Sequence, residues 1–113
     1  NFCLTKYILL CLVEEEMEDY IIYEVTHNKR VVYIGSGLPG RELHCMSGHS
    51  HNPELNKLFF TEPENMAVTV IREGLTKEES MEIEKEFIQA TEPKFNKVHT
   101  NRHRKVKKQL INL

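Results

Sequence analysis

Residues 20–25 read YIIYEV, a run of aromatic and β-branched residues that predicts a strand. The polar stretch 26–30 (THNKR) predicts a turn, and residues 31–35 (VVYIG) predict a second strand. So short a connection makes the pair a hairpin. A loop carrying Gly35, Gly37, Pro39 and Gly40 follows, and a short helix is expected from Arg41. Asn52 ahead of Pro53 predicts the start of a further helix, with Asn52 as N-cap and Leu55, Leu58 and Phe59 facing inward. Residues 67–71 (AVTVI) predict a third strand. In the last helix Thr76 and Glu79 form a capping-box pattern, and Pro93 sets the end. Its apolar stripe is expected at Ile83, Phe87 and Ala90, flanked by Met81 and Ile88. The order β-β-α-α-β-α predicts an α+β domain: a small three-stranded antiparallel sheet flanked by helices.

A chain of 113 residues holds one such domain. Its expected extent is residues 19–97, with an N-terminal extension over 1–18 and a basic tail over 98–113. The opening run, residues 2–13, is apolar but broken by Lys6, lacks a small-residue cleavage site and meets three glutamates at once. It reads as a strand or short helix packed on the domain, not as a signal peptide or a membrane span. The chain opens on Asn1 and so reads as a processed or excised piece, with Met17 a natural start for a compact version. Cys3, Cys11 and Cys45 are odd in number and widely spaced, which favours free thiols in a reducing, cytoplasmic compartment.

The formal net charge of −2 conceals an asymmetry. Acid gathers at residues 14–19 and 78–86. From Lys94 onward there is no acidic residue, while Lys94, Lys97, Arg102, Arg104, Lys105, Lys107 and Lys108 follow. A segment of that kind suits phosphate neutralisation, although a solvated, frayed tail would look the same.

Two features carry candidate chemistry. Glu84 lies three residues after Met81, four before Ile88 and next to Ile83, on the packing side of its helix, where an ionised carboxylate is costly unless it is paired or bound to metal. The second is the segment 33–44, YIGSGLPGRELH, which sets a Tyr, an Arg and a His around glycines that permit close backbone approach to a ligand. Arg41 offers a planar fork for a phosphate, and His44, three residues on, shares its helix face.

These residues resemble the GIY-YIG nuclease superfamily. The resemblance lies in IIY at 21–23, YIG at 33–35, Arg41, the EKEFI helix at 84–88 and PKFN at 93–96, in the family's order. The loop and the following SGHSHNPELN segment look most like phage-borne homing endonucleases. The resemblance implies a metal-dependent endonuclease acting on double-stranded DNA. Tyr23 and Tyr33 would face the scissile phosphate, one of them helping to deprotonate the attacking water. Arg41 would bind the phosphate, His44 would relay a proton, and Glu84 would ligate Mg²⁺ or Mn²⁺. Gly35, Ser36 and Gly37 would approach the substrate, Asn96 would tie the glutamate helix to the site, and Asn56 and Lys57 would face DNA. No membrane partner is implied, and the oligomeric state is left open, a homodimer included.

Three positions depart from the family pattern. Ile21 replaces the first glycine, Ser36 stands where a basic residue often follows, and the Arg41–His44 spacing is one residue short. His49 or His51 are alternatives to His44. Two other functions fit parts of the chain: a zinc-binding module using His44, Cys45, His49 and His51, and a non-catalytic domain that keeps the fold.

Overall fold

The computed structural model describes residues 19–100. The apolar opening run, Cys3, Cys11 and the basic residues from Arg102 onward lie outside the described residues.

The expected α+β architecture is present. Three strands, β1 (Tyr20–His27), β2 (Arg30–Gly37) and β3 (Met66–Leu75), form an antiparallel sheet in the order β2-β1-β3. Between β2 and β3 lie a 3₁₀ helix (Arg41–Met46), the helix α1 (Pro53–Thr61) and a 3₁₀ turn (Pro63–Asn65). The helix α2 (Lys77–Thr91) follows β3. Among the described residues no helix is long and apolar enough to cross a membrane.

All three strands outrun their expected bounds. β1 and β2 extend to a two-residue connection, Asn28–Lys29, with φ of 52° and 67°. Two consecutive positive φ values match the right-handed twist of the flanking strands, so pairing persists to the tip. Gly35, the expected last residue of the second strand, lies within β2, and Gly37 belongs to β2 and not to the loop, because they pair with Tyr23 and Ile21 of β1. The register of β1 with β2 slips between Val25 and Thr26, where Val32 has no Cα partner. This bulge brings Val32 and its neighbour Tyr33 to the same apolar cluster, which plain alternation would forbid.

The sheet is covered on both faces. Ile21, Tyr23 and Val25 of β1 join Val32, Cys45, Leu55, Leu58 and Met66 in one core. Ile22 and Ile34 join Ile88 in the other, with Ile71, Leu75, Ile83 and Phe87 packed around them. The first core lies under the 3₁₀ helix and α1, the second under α2.

Local signals explain the helices. The Oδ1 of Asn52 accepts from the amides of Glu54 and Leu55, and Pro53 occupies the first turn. Thr76 and Glu79 form the capping box in full. The stripe of α2 differs from expectation: Met81 and Ala90 are exposed, while Ser80 is buried and half-buried Glu84 stands between Ile83 and Ile88. The inward set is therefore Ser80, Ile83, Glu84, Phe87 and Ile88, a spacing of three and four that leaves Ala90 of the expected stripe and the flanking Met81 outside it. The segment from Arg41 is a 3₁₀ helix of six residues, capped by Gly40 without a side-chain hydrogen bond. Three residues per turn eclipse side chains at i and i+3, so Arg41 and His44 align on one face more closely than in an α-helix.

Candidate active site

The site begins on β1 and β2. Tyr23 and Tyr33 project into the same core cluster with ring centroids 6.5 Å apart and planes tilted by 37°. The Tyr23 ring lies over Gly35, its cross-strand partner: a Cβ at Gly35 would stand 2.5 Å from the Tyr23 hydroxyl. The stem of Arg41 lies over Gly37, where a Cβ would stand 2.8 Å from Cδ. The glycines of the motif thus leave room for a tyrosine ring and an arginine stem.

Beside these residues is a cavity of about 230 Å³. Tyr23 and Tyr33 line its sheet side, Arg41, His44 and Cys45 its 3₁₀-helix side, and residues 50–52, Leu55 and residues 95–98 complete it. The structure therefore brings Tyr23, Tyr33, Arg41 and His44 to one cavity, with Asn96 at its edge. Gly35, Ser36, Gly37, Asn56, Lys57 and Glu84 do not line it.

Glu84 approaches from the other face of the sheet. Burial pushes its carboxyl above the usual glutamate range, while a hydrogen bond with Ser36 and the charge of His99 act in the opposite sense. Ser36 sits on β2 between the two glycines. Glu84 thus meets the edge strand where its side chains are smallest, and it is close enough to both tyrosines to raise their pKa values.

Both phenols are shifted upward. For Tyr23, burial is the main cause, with Cys45, Tyr33 and Glu84 adding to it and Arg41 opposing. For Tyr33, burial again leads, with Cys45 and Glu84 adding and Arg41 opposing. Arg41 supplies the cation that a tyrosinate needs, but desolvation outweighs it in the free protein. Both tyrosines therefore carry their protons, which leaves their hydroxyls able to donate a hydrogen bond. Cys45 is buried against them, and burial, helped by Glu42, pushes its thiol up to about 11.

Two asparagines do structural work. Asn96 grips the β2 edge with both ends of its amide: Oδ1 accepts from the Ile34 amide and Nδ2 donates to the Ile34 carbonyl, each at 2.9 Å. The Phe95 amide donates to the Val32 carbonyl at 2.8 Å. The chain after α2 thereby covers the outer edge of the strand that carries Tyr33. Asn56 turns its amide to Ser50, accepting from its amide and hydroxyl and donating to its carbonyl. Lys57 is exposed on α1 away from the cavity.

Other walls of the cavity had weaker signals. Asn52 was legible as an N-cap, but its Nδ2 also donates to the Phe95 carbonyl at 2.9 Å, joining the start of α1 to the chain after α2. No local pattern announces a contact across 43 residues. His51 and Lys97 reach the cavity through that junction. The arrangement expected of a zinc module is not formed: among the described residues no three His, Cys, Asp or Glu side chains converge to hold a metal ion.

Comparison with protein-family models, curated proteins and solved structures finds no match to this chain.

Proposed function

We propose that the protein is a metal-dependent endonuclease that hydrolyses phosphodiester bonds of double-stranded DNA, of the GIY-YIG type. The observation that carries this reading is the convergence of Tyr23, Tyr33, Arg41 and His44 on one cavity. The same groups in the same strand and helix order underlie the motif resemblance.

Their chemistry suits an anionic substrate. Arg41 presents a planar guanidinium at the cavity, suited to a phosphate oxygen pair and to the charge that grows in the transition state. Tyr23 and Tyr33, held protonated, donate hydrogen bonds that orient the phosphate and the attacking water. The proton of that water goes to an imidazole, and His44 is the one aligned with Arg41.

In this reading Glu84 would hold a divalent cation. Desolvation disfavours the carboxylate's negative charge, which an adjacent cation restores, and the Ser36 hydroxyl adds a second oxygen. Glu84 would be the protein ligand of Mg²⁺ or Mn²⁺, with waters and substrate oxygens in the rest of the shell. When bound, such an ion stabilises charge on the phosphoryl oxygens and lowers the pKa of a coordinated water.

The test is plasmid nicking by the wild-type chain with Mg²⁺, with EDTA, and by Glu84→Ala with Mg²⁺. Cleavage that needs both metal and Glu84 is the expected result. Folded protein that cuts no form of DNA with Mg²⁺ or Mn²⁺ overturns the reading.

A further inference from the structure

We propose that His51 and Lys97 form a second anion subsite of this cavity, taking a backbone phosphate that flanks the one held at Arg41. The proposal rests on the DNA reading above and deepens it by giving the substrate strand a second point of attachment.

The argument begins with charge. Four basic side chains line the cavity, Arg41, His44, His51 and Lys97, and no aspartate or glutamate does. They fall into two pairs on different chain segments. Arg41 and His44 share the face of the 3₁₀ helix. His51 precedes α1 and Lys97 follows α2. A cavity with one anion to bind needs only the first pair.

The second pair is fixed by the backbone. The hydrogen bond from Asn52 Nδ2 to the Phe95 carbonyl joins the residue after His51 to a residue two before Lys97. Asn96, next to Lys97, is bonded at both ends of its amide to Ile34, the residue after Tyr33. Lys97 is therefore mounted on the strand that carries Tyr33. A lysine is a compact point charge that makes no demand for a paired-oxygen geometry, so it suits a phosphate that is positioned and not cleaved.

Without DNA, Lys97 has a weak partner. Its Nζ lies 3.8 Å from an Oε of Glu54, and both side chains are substantially exposed. Such a pair is worth little in water, so a phosphate displaces Glu54 readily. Glu54 then acts as a competitor for Lys97, and removing its charge strengthens DNA binding only while Lys97 is present. That conditional effect separates a specific subsite from general repulsion of DNA by an acidic residue.

The experiment is a fluorescence-anisotropy titration of a labelled duplex with the full chain in EDTA, at several salt concentrations. Lys97→Met is expected to weaken binding about three- to tenfold and to reduce the slope of log affinity against log salt by about one. His51→Ala is expected to weaken it in the same direction. Glu54→Gln is expected to tighten binding about two- to threefold in the wild-type background and not in Lys97→Met. A salt slope unchanged by Lys97→Met, or an equal Glu54→Gln effect in both backgrounds, overturns the subsite and leaves the endonuclease reading standing. A folded chain that binds no duplex at any salt concentration overturns both.

Discussion

Tyr23 and Gly35 face each other across the β1–β2 pair, so closely that a single added methyl on Gly35 would sit 2.5 Å from the Tyr23 hydroxyl and 2.6 Å from its Cζ. The ring cannot retreat easily, because Tyr23 is buried in the core among Ile21, Val25 and Leu55. Gly35→Ala is therefore expected to cost about 1–3 kcal/mol, the usual penalty for overpacking. Removing the ring should remove the clash, so Gly35→Ala should cost much less in a Tyr23→Ala background. Urea denaturation of the four proteins of this double-mutant cycle measures the coupling, and additive effects would show that the contact is not tight.

Gly37 gives a contrasting expectation. Its methyl would meet Arg41 at Cδ and Cγ, at 2.8 and 3.1 Å, and Arg41 is an exposed, flexible side chain. Gly37→Ala should cost under about 1 kcal/mol, because the arginine can move aside. That movement takes the guanidinium from its place at the cavity, so cleavage should suffer more than stability. A variant with normal activity and a large loss of stability would reverse this assignment.

Asn96 holds Ile34 at both its amide and its carbonyl. Asn96→Ala leaves those two backbone groups on a buried part of the sheet edge without their partner, at an expected cost of about 2–4 kcal/mol. Asn96→Asp keeps the acceptor for the Ile34 amide but sets a buried carboxylate oxygen against the Ile34 carbonyl, so it should cost at least as much. Equal stability of the alanine variant and the wild type in thermal melts would count against this account.

These contacts show where sequence reading stops. The strands, both N-caps, the capping box and the β1–β2 hairpin were legible because each is written in neighbouring residues, and the three-stranded antiparallel sheet was legible only through the order of its elements, since β3 pairs with the distant β1. Placing Glu84 on the packing side of its helix, beside Ile83 and Ile88, was legible from neighbouring residues too, although Ser80 and not Met81 is the buried residue one turn before it. The bulge that turns Val32 and Tyr33 to one core was not, since alternation predicts opposite faces. Nor was the division of the site by the sheet, with the tyrosines and Arg41 on one side and Glu84 reaching Ser36 from the other. The hydrogen bonds of Asn52 to Phe95 and of Asn96 to Ile34 span 43 and 62 residues, and they decide which residues wall the cavity.

Cys45 gives a pH-dependent expectation. Burial raises its thiol from an ordinary 9.0 to about 11 in the folded chain. Thiolate chemistry at Cys45 should therefore be about a hundredfold slower in the native protein than in the unfolded chain, by thiolate fraction alone. Peptide mapping after alkylation at neutral pH, with and without urea, measures this at Cys45 separately from Cys3 and Cys11. The linkage has a definite sign. The unfolded chain releases the Cys45 proton at lower pH than the folded one, so this contribution to stability is complete below about pH 9. It is lost as pH rises toward 11. Wild type should thus lose stability relative to Cys45→Ala over that interval, and a difference independent of pH would contradict the burial.

Glu84 and stability can be tested without measuring cleavage. Its carboxylate is half-buried and burial raises its pKa, so in metal-free buffer near neutrality the charge opposes folding. Glu84→Gln keeps the shape and removes the charge. It should fold at least as well as wild type in EDTA, with a melting temperature equal or higher. If Glu84 holds a divalent ion as proposed, Mg²⁺ should raise the melting temperature of wild type in a concentration-dependent way, because a ligand bound only to the folded state stabilises it. The same additions should leave Glu84→Gln unmoved. The two halves fail separately. A glutamine variant that melts well below wild type in EDTA would mean that the carboxylate supports the fold through Ser36 and His99. Equal Mg²⁺ shifts in both proteins would put the ion somewhere other than Glu84.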